Sequence, residues 1–177
     1  MSLFYVDASA LVKFILNEEG AYALTSYLEG ANLTSSQLVL TEVPRALRRT
    51  AAGTPGLALK EVLEQAGRLI DSMALRPVDD ALLIGAGMLA EPAFRSLDAI
   101  HVATAVHLYP IDAFVTYDKQ QAAAARLAGL RTVAPGSDTS VNYRHRMDVV
   151  WTLLWIALIA PTLRTIPASS SPRCDQE

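Results

Sequence analysis

Two hydrophobic periods take turns along the first 136 residues: short apolar runs that suit strands, and longer stretches repeating every three or four residues that suit helices. Leu3-Phe4-Tyr5-Val6 is a run of strand formers that stops at Asp7, and it predicts a buried strand. Ser9 is placed to cap a helix carrying Leu11, Val12, Ile15 and Leu16 on one side. Ala21 to Leu28 predicts a second helix closed by Gly30, and Ala31 to Thr34 a brief strand. A helix is expected from Ser36 to about Ala52, with Pro44 kinking it or marking its first turn. Thr54-Pro55-Gly56 breaks the chain, and Leu57 to Met73 follows as a long amphipathic helix. Leu75 to Val78 reads as a strand, Asp79 as a cap, and Ala81 to Ala90 as a helix. Ser96 is the expected cap of Leu97 to Leu108, which Pro110 ends. Ala113 to Thr116 is a strand, Asp118 caps Gln120 to Leu127, and Leu130 to Val133 is the last strand.

Strands alternating with helices over residues 1–136 indicate an α/β domain with a mostly parallel sheet. At Pro135-Gly136 the alternation ends. Residues 137–177 open on a polar stretch, pass through Arg144-His145-Arg146 and an uncharged apolar run from Val149 to Leu163, and end rich in Ser and Pro. That run is 15 residues long and contains Pro161, whereas a membrane-spanning helix needs about 20 apolar residues. Trp151, Leu154, Trp155 and Leu158 recur at helical spacing. They suit a packing helix, a partner-binding helix, an interfacial helix or sequence out of its ancestral frame. The stretch is expected to be a non-catalytic extension outside the fold.

Composition narrows the class. The 177 residues suit one domain, and 51% hydrophobic against 19% charged residues excludes an intrinsically disordered chain. A net charge of −3 argues against coating nucleic acid by bulk positive charge. The one cysteine, Cys174, excludes a disulfide framework and a cysteine zinc site, and suits a reducing, cytoplasmic compartment. Asp7 and Lys13 interrupt the first apolar stretch and no basic segment precedes it, so no secretion signal is expected.

Four acids carry the candidate chemistry. Asp7 and Asp118 follow apolar strands, and ligands of open parallel sheets bind outside the carboxyl ends of the strands. Glu42 lies between Leu40 and Val43, and Asp98 opens the apolar helix Leu97 to Leu108. Each has a plainer reading: Asp98 and Asp118 as complements of helix N-termini, Glu42 as the partner of Arg45 three residues on. Asp7 resists one, because it ends a strand with no evident capping duty. Four acids at one sheet edge would repel without a metal, and oxygen ligands without a Cys or His cluster suit Mg²⁺ or Mn²⁺.

Phe4-Tyr5-Val6-Asp7-Ala8-Ser9-Ala10-Leu11-Val12-Lys13, Leu40-Thr41-Glu42-Val43, Ser96-Leu97-Asp98-Ala99-Ile100-His101 and Val115-Thr116-Tyr117-Asp118 together resemble PIN-domain nucleases, and most of all the VapC toxins of bacterial toxin–antitoxin pairs. The four blocks occur in family order, with their acids 35, 56 and 20 residues apart. The resemblance covers about residues 1–136. It implies a three-layer α/β/α sandwich and a Mg²⁺-dependent endoribonuclease whose acidic quartet is Asp7, Glu42, Asp98 and Asp118. Ser9 falls where the family supports its first Asp or a metal-bound water. Relatives often carry a further Asp or Asn shortly after the fourth acid, where this chain has Lys119-Gln120-Gln121, so Gln120 stands as a weaker substitute.

The implied chemistry is metal-assisted hydrolysis of an RNA phosphodiester. One Mg²⁺ on Asp7, Asp98 and Asp118 would activate a water for in-line attack, and a second near Glu42 would stabilise the leaving 3′-oxygen. The family pattern further implies 5′-phosphate and 3′-hydroxyl products, a homodimer, and a VapB-like antitoxin that inserts a basic residue among the acids. Arg45, Arg48 and Arg49, with Lys13 as a weaker candidate, could meet RNA phosphates. The rival reading is an inactive PIN-like module that only binds RNA or protein. His101, one turn after Asp98, is near enough to act as a proton carrier, but on an apolar helix it reads as a packed residue. Gly85-Ala86-Gly87-Met88-Leu89-Ala90 mimics a dinucleotide-binding string but lies inside a helical pattern, where its small residues suit close helix packing. Asp79-Asp80 lacks the first-strand pair of a phospho-acceptor domain. Residues 137–177 are neutral, so the −3 belongs to the first 136; without the quartet those carry 11 basic and 10 acidic residues, and the charge objection to RNA largely disappears.

Overall fold

A computed structural model of the chain describes residues 2–89 and 95–137. Readings of residues 138–177 lie outside the described residues. Five parallel strands form one sheet in the order β3-β2-β1-β4-β5: β1 is Leu3–Val6, β2 Asn32–Ser36, β3 Ala74–Arg76, β4 Ala113–Val115 and β5 Thr132–Val133. The helices are α1 Ala8–Ile15, α2 Ala21–Leu28, α3 Val39–Gly53, α4 Leu59–Asp71, α5 Asp80–Gly87, α6 Ser96–His107 and α7 Lys119–Leu127. The chain winds outward from β1 through β2 to β3, then crosses back to β4 and β5. Right-handed crossovers therefore put α1–α4 on one face of the sheet and α5–α7 on the other. The packing agrees, since α1 packs against α2, α3 and α4, and α6 against both α5 and α7. The architecture is the expected α/β/α sandwich.

The core lies on both faces. Tyr5, Phe114, Val102, Ala105, Ala124, Ala125 and Leu130 form one cluster under α6 and α7, where the Tyr5 and Phe114 rings stack at 4.8 Å. On the other face Leu24, Val39, Val43, Leu47 and Leu69 are all essentially inaccessible to solvent.

Several boundaries move, each for a local reason. β2 runs two residues beyond the expected Thr34, through a polar stretch that hydropathy does not mark. The hydroxyls of its buried residues are satisfied: Thr34 donates to the Ala74 carbonyl at 2.7 Å, and Ser35 to that of Val6 at 2.6 Å. Ser36 closes the strand, so α3 begins at Val39 and continues through Pro44. β3 ends at Arg76 because Pro77 has no N–H to extend the ladder. Asp79 caps α5 as expected, accepting from the Leu82 N–H at 2.9 Å, and also pairs with Arg76 at 2.7 Å. Ser96 is the first residue of α6 and makes no capping bond, Arg95 standing at the cap position. Gly85 and Gly87 lie in α5 as read, but they do not mediate close packing: both are exposed, with open space where a Cβ would stand. Ala86 between them is the buried residue, against Leu82 and Ala103.

The segment after β5 is held by close backbone approach. Gly20 (φ 84°) and Gly136 (φ 75°) meet so tightly that a Cβ on Gly20 would lie 3.0 Å from the Gly136 carbonyl oxygen. Tyr117 Oη donates to the Pro135 carbonyl at 2.6 Å, tying the same segment to the loop after β4.

Candidate active site

The sheet reverses its winding between β1 and β4, leaving a crevice beyond their carboxyl ends. Asp7 follows β1 directly, and Asp118 closes the short loop after β4. Glu42 is in the first turn of α3, which leaves β2, and Asp98 is in the first turn of α6. All four acids of the sequence reading thus belong to the same edge of the sheet.

Asp7 is 2% exposed and held from three sides. Its Oδ1 accepts from the Ser9 hydroxyl at 2.8 Å and the Ala10 N–H at 2.9 Å. Its Oδ2 accepts from the Thr116 hydroxyl at 2.6 Å and lies 2.9 Å from Ser9 Oγ. The Ala10 bond makes Asp7 the N-cap of α1, which corrects both capping expectations here. The helix starts one residue after the strand, so Ser9 falls inside it and its hydroxyl turns back to the carboxylate. Ser9 Oγ also accepts the Tyr117 N–H at 2.8 Å, linking α1 to the loop after β4. Three protons meet a carboxylate with about four lone-pair sites, which leaves acceptor capacity. Burial raises the Asp7 carboxyl above its ordinary range, against the opposing pull of Thr116, the Ala10 N–H, His101 and Ser9. Burial, and secondarily the Asp7 charge, also pushes the Tyr117 phenol up to about 12.

Asp118 has the helix-terminus role of its plainer reading. Its Oδ1 accepts the Gln120 and Gln121 N–H groups at 2.7 and 3.1 Å, capping α7. The Gln120 side chain itself is exposed. Asp98 is half-buried, and its carboxyl is raised first by desolvation and then by the charge of Asp118, with Glu42 adding to the rise and Arg95 and His101 opposing it. Asp118 and Glu42 therefore both act electrostatically on Asp98. Glu42 does not pair with Arg45: its Oε2 lies 2.6 Å from His101 Nε2, while Arg45, Arg48 and Arg49 are exposed and make no ion pair among the described residues. Lys13 is otherwise engaged, its ammonium donating to the Glu19 carbonyl at 2.8 Å, pairing with Glu18 at 3.7 Å and standing 4.6 Å over the Tyr117 ring.

Among the described residues, no group of three or more His, Cys, Asp or Glu side chains is gathered into a cage that could hold a metal ion as it stands. The donor set fits a hard cation in its chemistry, being all carboxylate and mutually repulsive. Mg²⁺ commonly takes only one or two protein carboxylates and completes its shell with water and substrate phosphate.

Thr116 escaped the sequence reading, and His101 is packed as expected but also bonded into the site. Thr116 supplies the short bond to Asp7 and accepts the Asp118 N–H at 3.1 Å. His101 is fully buried and bonded at both ring nitrogens. The signal for His101 was its place one turn after Asp98 on an apolar helix, since a buried imidazole needs partners. Those partners, Tyr5 and Glu42, are 96 and 59 residues away and are invisible without the fold.

Comparison with known proteins gives the same family. The PIN domain family model matches residues 4–127. Ribonuclease VapC47 of Mycobacterium tuberculosis is 31% identical over 141 residues, spanning 76% of this chain and 98% of the relative. Ribonuclease VapC35 of the same species is 36% identical over 141 residues with the same coverage, and ribonuclease VapC46 is 36% identical over 138 residues, spanning 76% and 99%. PAE2754 from Pyrobaculum aerophilum, known from its crystal structure, shares the fold with a TM-score of 0.52 at 17% identity, over 74% of this chain and 83% of that one. With the family model covering most of the described fold and these relatives matched over nearly their whole length, the chain belongs to the PIN domain family and, within it, to the VapC-like members.

Proposed function

We propose that the chain is a Mg²⁺-dependent endoribonuclease, with Mn²⁺ able to substitute, and that it acts as the toxin of a toxin–antitoxin pair. The observation that carries this reading is the gathering of Asp98, Asp118 and Glu42 at the sheet edge where Asp7 is buried and locked, in a fold whose relatives are named ribonucleases. Bound there, the cation would supply Lewis-acid activation of water and neutralise charge developing on the scissile phosphate.

The chain's own residues have distinct duties in this reading. Asp7, Asp98 and Asp118 hold the cation, and Glu42 serves a second position on the α3 side. Ser9 and Thr116 fix the Asp7 carboxylate so that little reorganisation is needed on binding. Arg45 and Arg49, exposed on α3 beyond Glu42, meet RNA phosphates and supply affinity without sequence preference. Lys13, whose ammonium is occupied by Glu18, Glu19 and Tyr117, supports the frame of the crevice more than the RNA. Products carry 5′-phosphate and 3′-hydroxyl ends. A VapB-like antitoxin is the inhibiting partner and would place a basic residue among the acids. The toxin works as a homodimer in the cytoplasm, and no described helix is long and apolar enough to cross a membrane.

Mapping 5′ ends of cellular RNA after induction tests the proposal. New ends should appear with the wild-type chain and vanish with Asp98→Asn, and EDTA should stop cleavage by the purified protein. Cleavage unchanged in Asp98→Asn would overturn the reading in favour of a nuclease that does not use the quartet. No cleavage by the wild type, with no stabilisation by Mg²⁺, would favour an inactive binding module.

A further inference from the structure

We propose that His101 is a positioning residue that reserves one carboxylate oxygen of Glu42, so that Glu42 presents a single oxygen to the crevice. The inference rests on the function proposed above. It starts from the burial of His101, which is 1% exposed within a mostly apolar helix, where an unpartnered imidazole would be costly. Both ring nitrogens are engaged: Nδ1 lies 2.7 Å from Tyr5 Oη, and Nε2 lies 2.6 Å from Glu42 Oε2.

The direction of each bond follows from the inventory of protons. A carboxylate oxygen only accepts, so Nε2 carries the hydrogen in its contact with Glu42. In a neutral ring Nδ1 is then an acceptor, and it takes the Tyr5 hydroxyl proton. The lone pairs of Tyr5 Oη remain free for the Ser36 N–H, which lies 3.2 Å away. One continuous chain results: Ser36 N–H to Tyr5 Oη, Tyr5 O–H to His101 Nδ1, His101 Nε2–H to Glu42 Oε2. Every proton in this chain has one acceptor.

The path of this relay gives it a function beyond packing. Glu42 stands in the helical layer of α1–α4 and His101 in that of α5–α7, so the Glu42–His101 bond crosses the carboxyl edge of the sheet at the crevice itself. His101 is one turn from Asp98 on α6 and on the same side of the helix. The bond therefore sets where Glu42 lies relative to an acid that it repels. It also consumes Oε2, and Oε1 has no hydrogen-bond partner among the described residues. Glu42 then meets a cation or its water shell through one oxygen, in an orientation set from the core. Phe or Leu at position 101 would fill the space equally well and would leave Glu42 free to swing.

The test uses the full chain and Mn²⁺ as the probe, read by titration calorimetry together with the Mg²⁺ dependence of RNA cleavage. His101→Phe should weaken Mn²⁺ binding about tenfold or more, the range seen when an outer partner of a metal ligand is lost. It should raise the Mg²⁺ concentration for half-maximal rate more than it lowers the rate at saturating Mg²⁺. His101→Gln, whose amide N–H can still donate to Glu42, should recover most of the affinity. In a Glu42→Gln background, His101→Phe should weaken binding no further. If His101→Phe does not fold, His101→Asn, too short to reach Glu42, takes its place. Equal losses in the Gln and Phe variants that follow their loss of stability, or an undiminished effect in the Glu42→Gln background, overturn the role. Wild-type binding that His101→Phe leaves unchanged overturns this role alone, whereas no Mn²⁺ binding by the wild type overturns the proposed function and this role with it.

Discussion

Replacing Thr116 by Val removes a hydroxyl while keeping the shape of a buried side chain, and it should destabilise the metal-free fold at neutral pH. Thr116 Oγ1 donates to Asp7 Oδ2 at 2.6 Å, a short bond to a buried carboxylate, and it accepts the Asp118 N–H at 3.1 Å. Hydrogen bonds to charged groups contribute roughly 1.5–3 kcal/mol, and this one has no water to replace it because Thr116 is 1% exposed. Thr116→Ser keeps the donor and loses a methyl group, a change of about 0.8 kcal/mol. The polar substitution should therefore be the milder one, the reverse of what hydrophobic burial alone predicts. Urea unfolding in EDTA at pH 7 reads both values. The pH dependence supplies a second check. Burial raises the Asp7 carboxyl, so the folded chain holds that proton more tightly than the unfolded chain does. The associated stability is fully present below the unfolded carboxyl's range and is lost as pH rises through the folded one. The penalty of Thr116→Val should shrink toward acid pH, where Asp7 is protonated in the folded state of both proteins. A Val variant at least as stable as the Ser variant at pH 7 would refute the assignment of Thr116 as the anchor of Asp7.

The same linkage predicts that Asp7→Asn, which keeps a capping oxygen without the buried charge, is more thermostable than wild type at pH 7 in EDTA, with an advantage that fades as pH falls; melting scans across pH check it, and a constant or inverted difference counts against the buried-charge argument. Two glycines should respond with opposite sign in denaturant titrations. Gly20→Ala forces a side chain into the left-handed region against the Gly136 carbonyl and should cost at least about 1–2 kcal/mol. Gly85→Ala, at an exposed helical site with open space around it, should add about 0.5–1 kcal/mol.

Much of the fold was legible because its cues are local. Leu3 to Val6 and Ala113 to Val115 are apolar runs ended by polar residues, and acids at strand ends mark a sheet edge whatever the partners of the strands are. β2 was underread because Thr34 and Ser35 are buried through hydroxyl bonds to the Ala74 and Val6 carbonyls and Ser36 accepts the Leu38 N–H, which no apolar pattern records. The cap of α1 is Asp7 and not Ser9 because the helix starts two residues earlier than expected. The four acids were found as separate positions, with Ser9 expected beside Asp7 and Asp118 expected to cap α7, but the bonds from Thr116 and His101 were not foreseen. Thr116 reaches Asp7 across 109 residues of chain and His101 reaches Glu42 across 59, so the supporting bonds exist only once β4 and α6 are in place.

That separation has a consequence for synthesis. β1 leaves the ribosome first, yet its neighbour β4, the lock on Asp7 and the fourth acid all come from beyond residue 112. Until that late segment emerges, Asp7 has neither its Thr116 anchor nor Asp118 nearby. The edge of the sheet that carries the acids is thus the last part of the crevice to be completed as the chain is made.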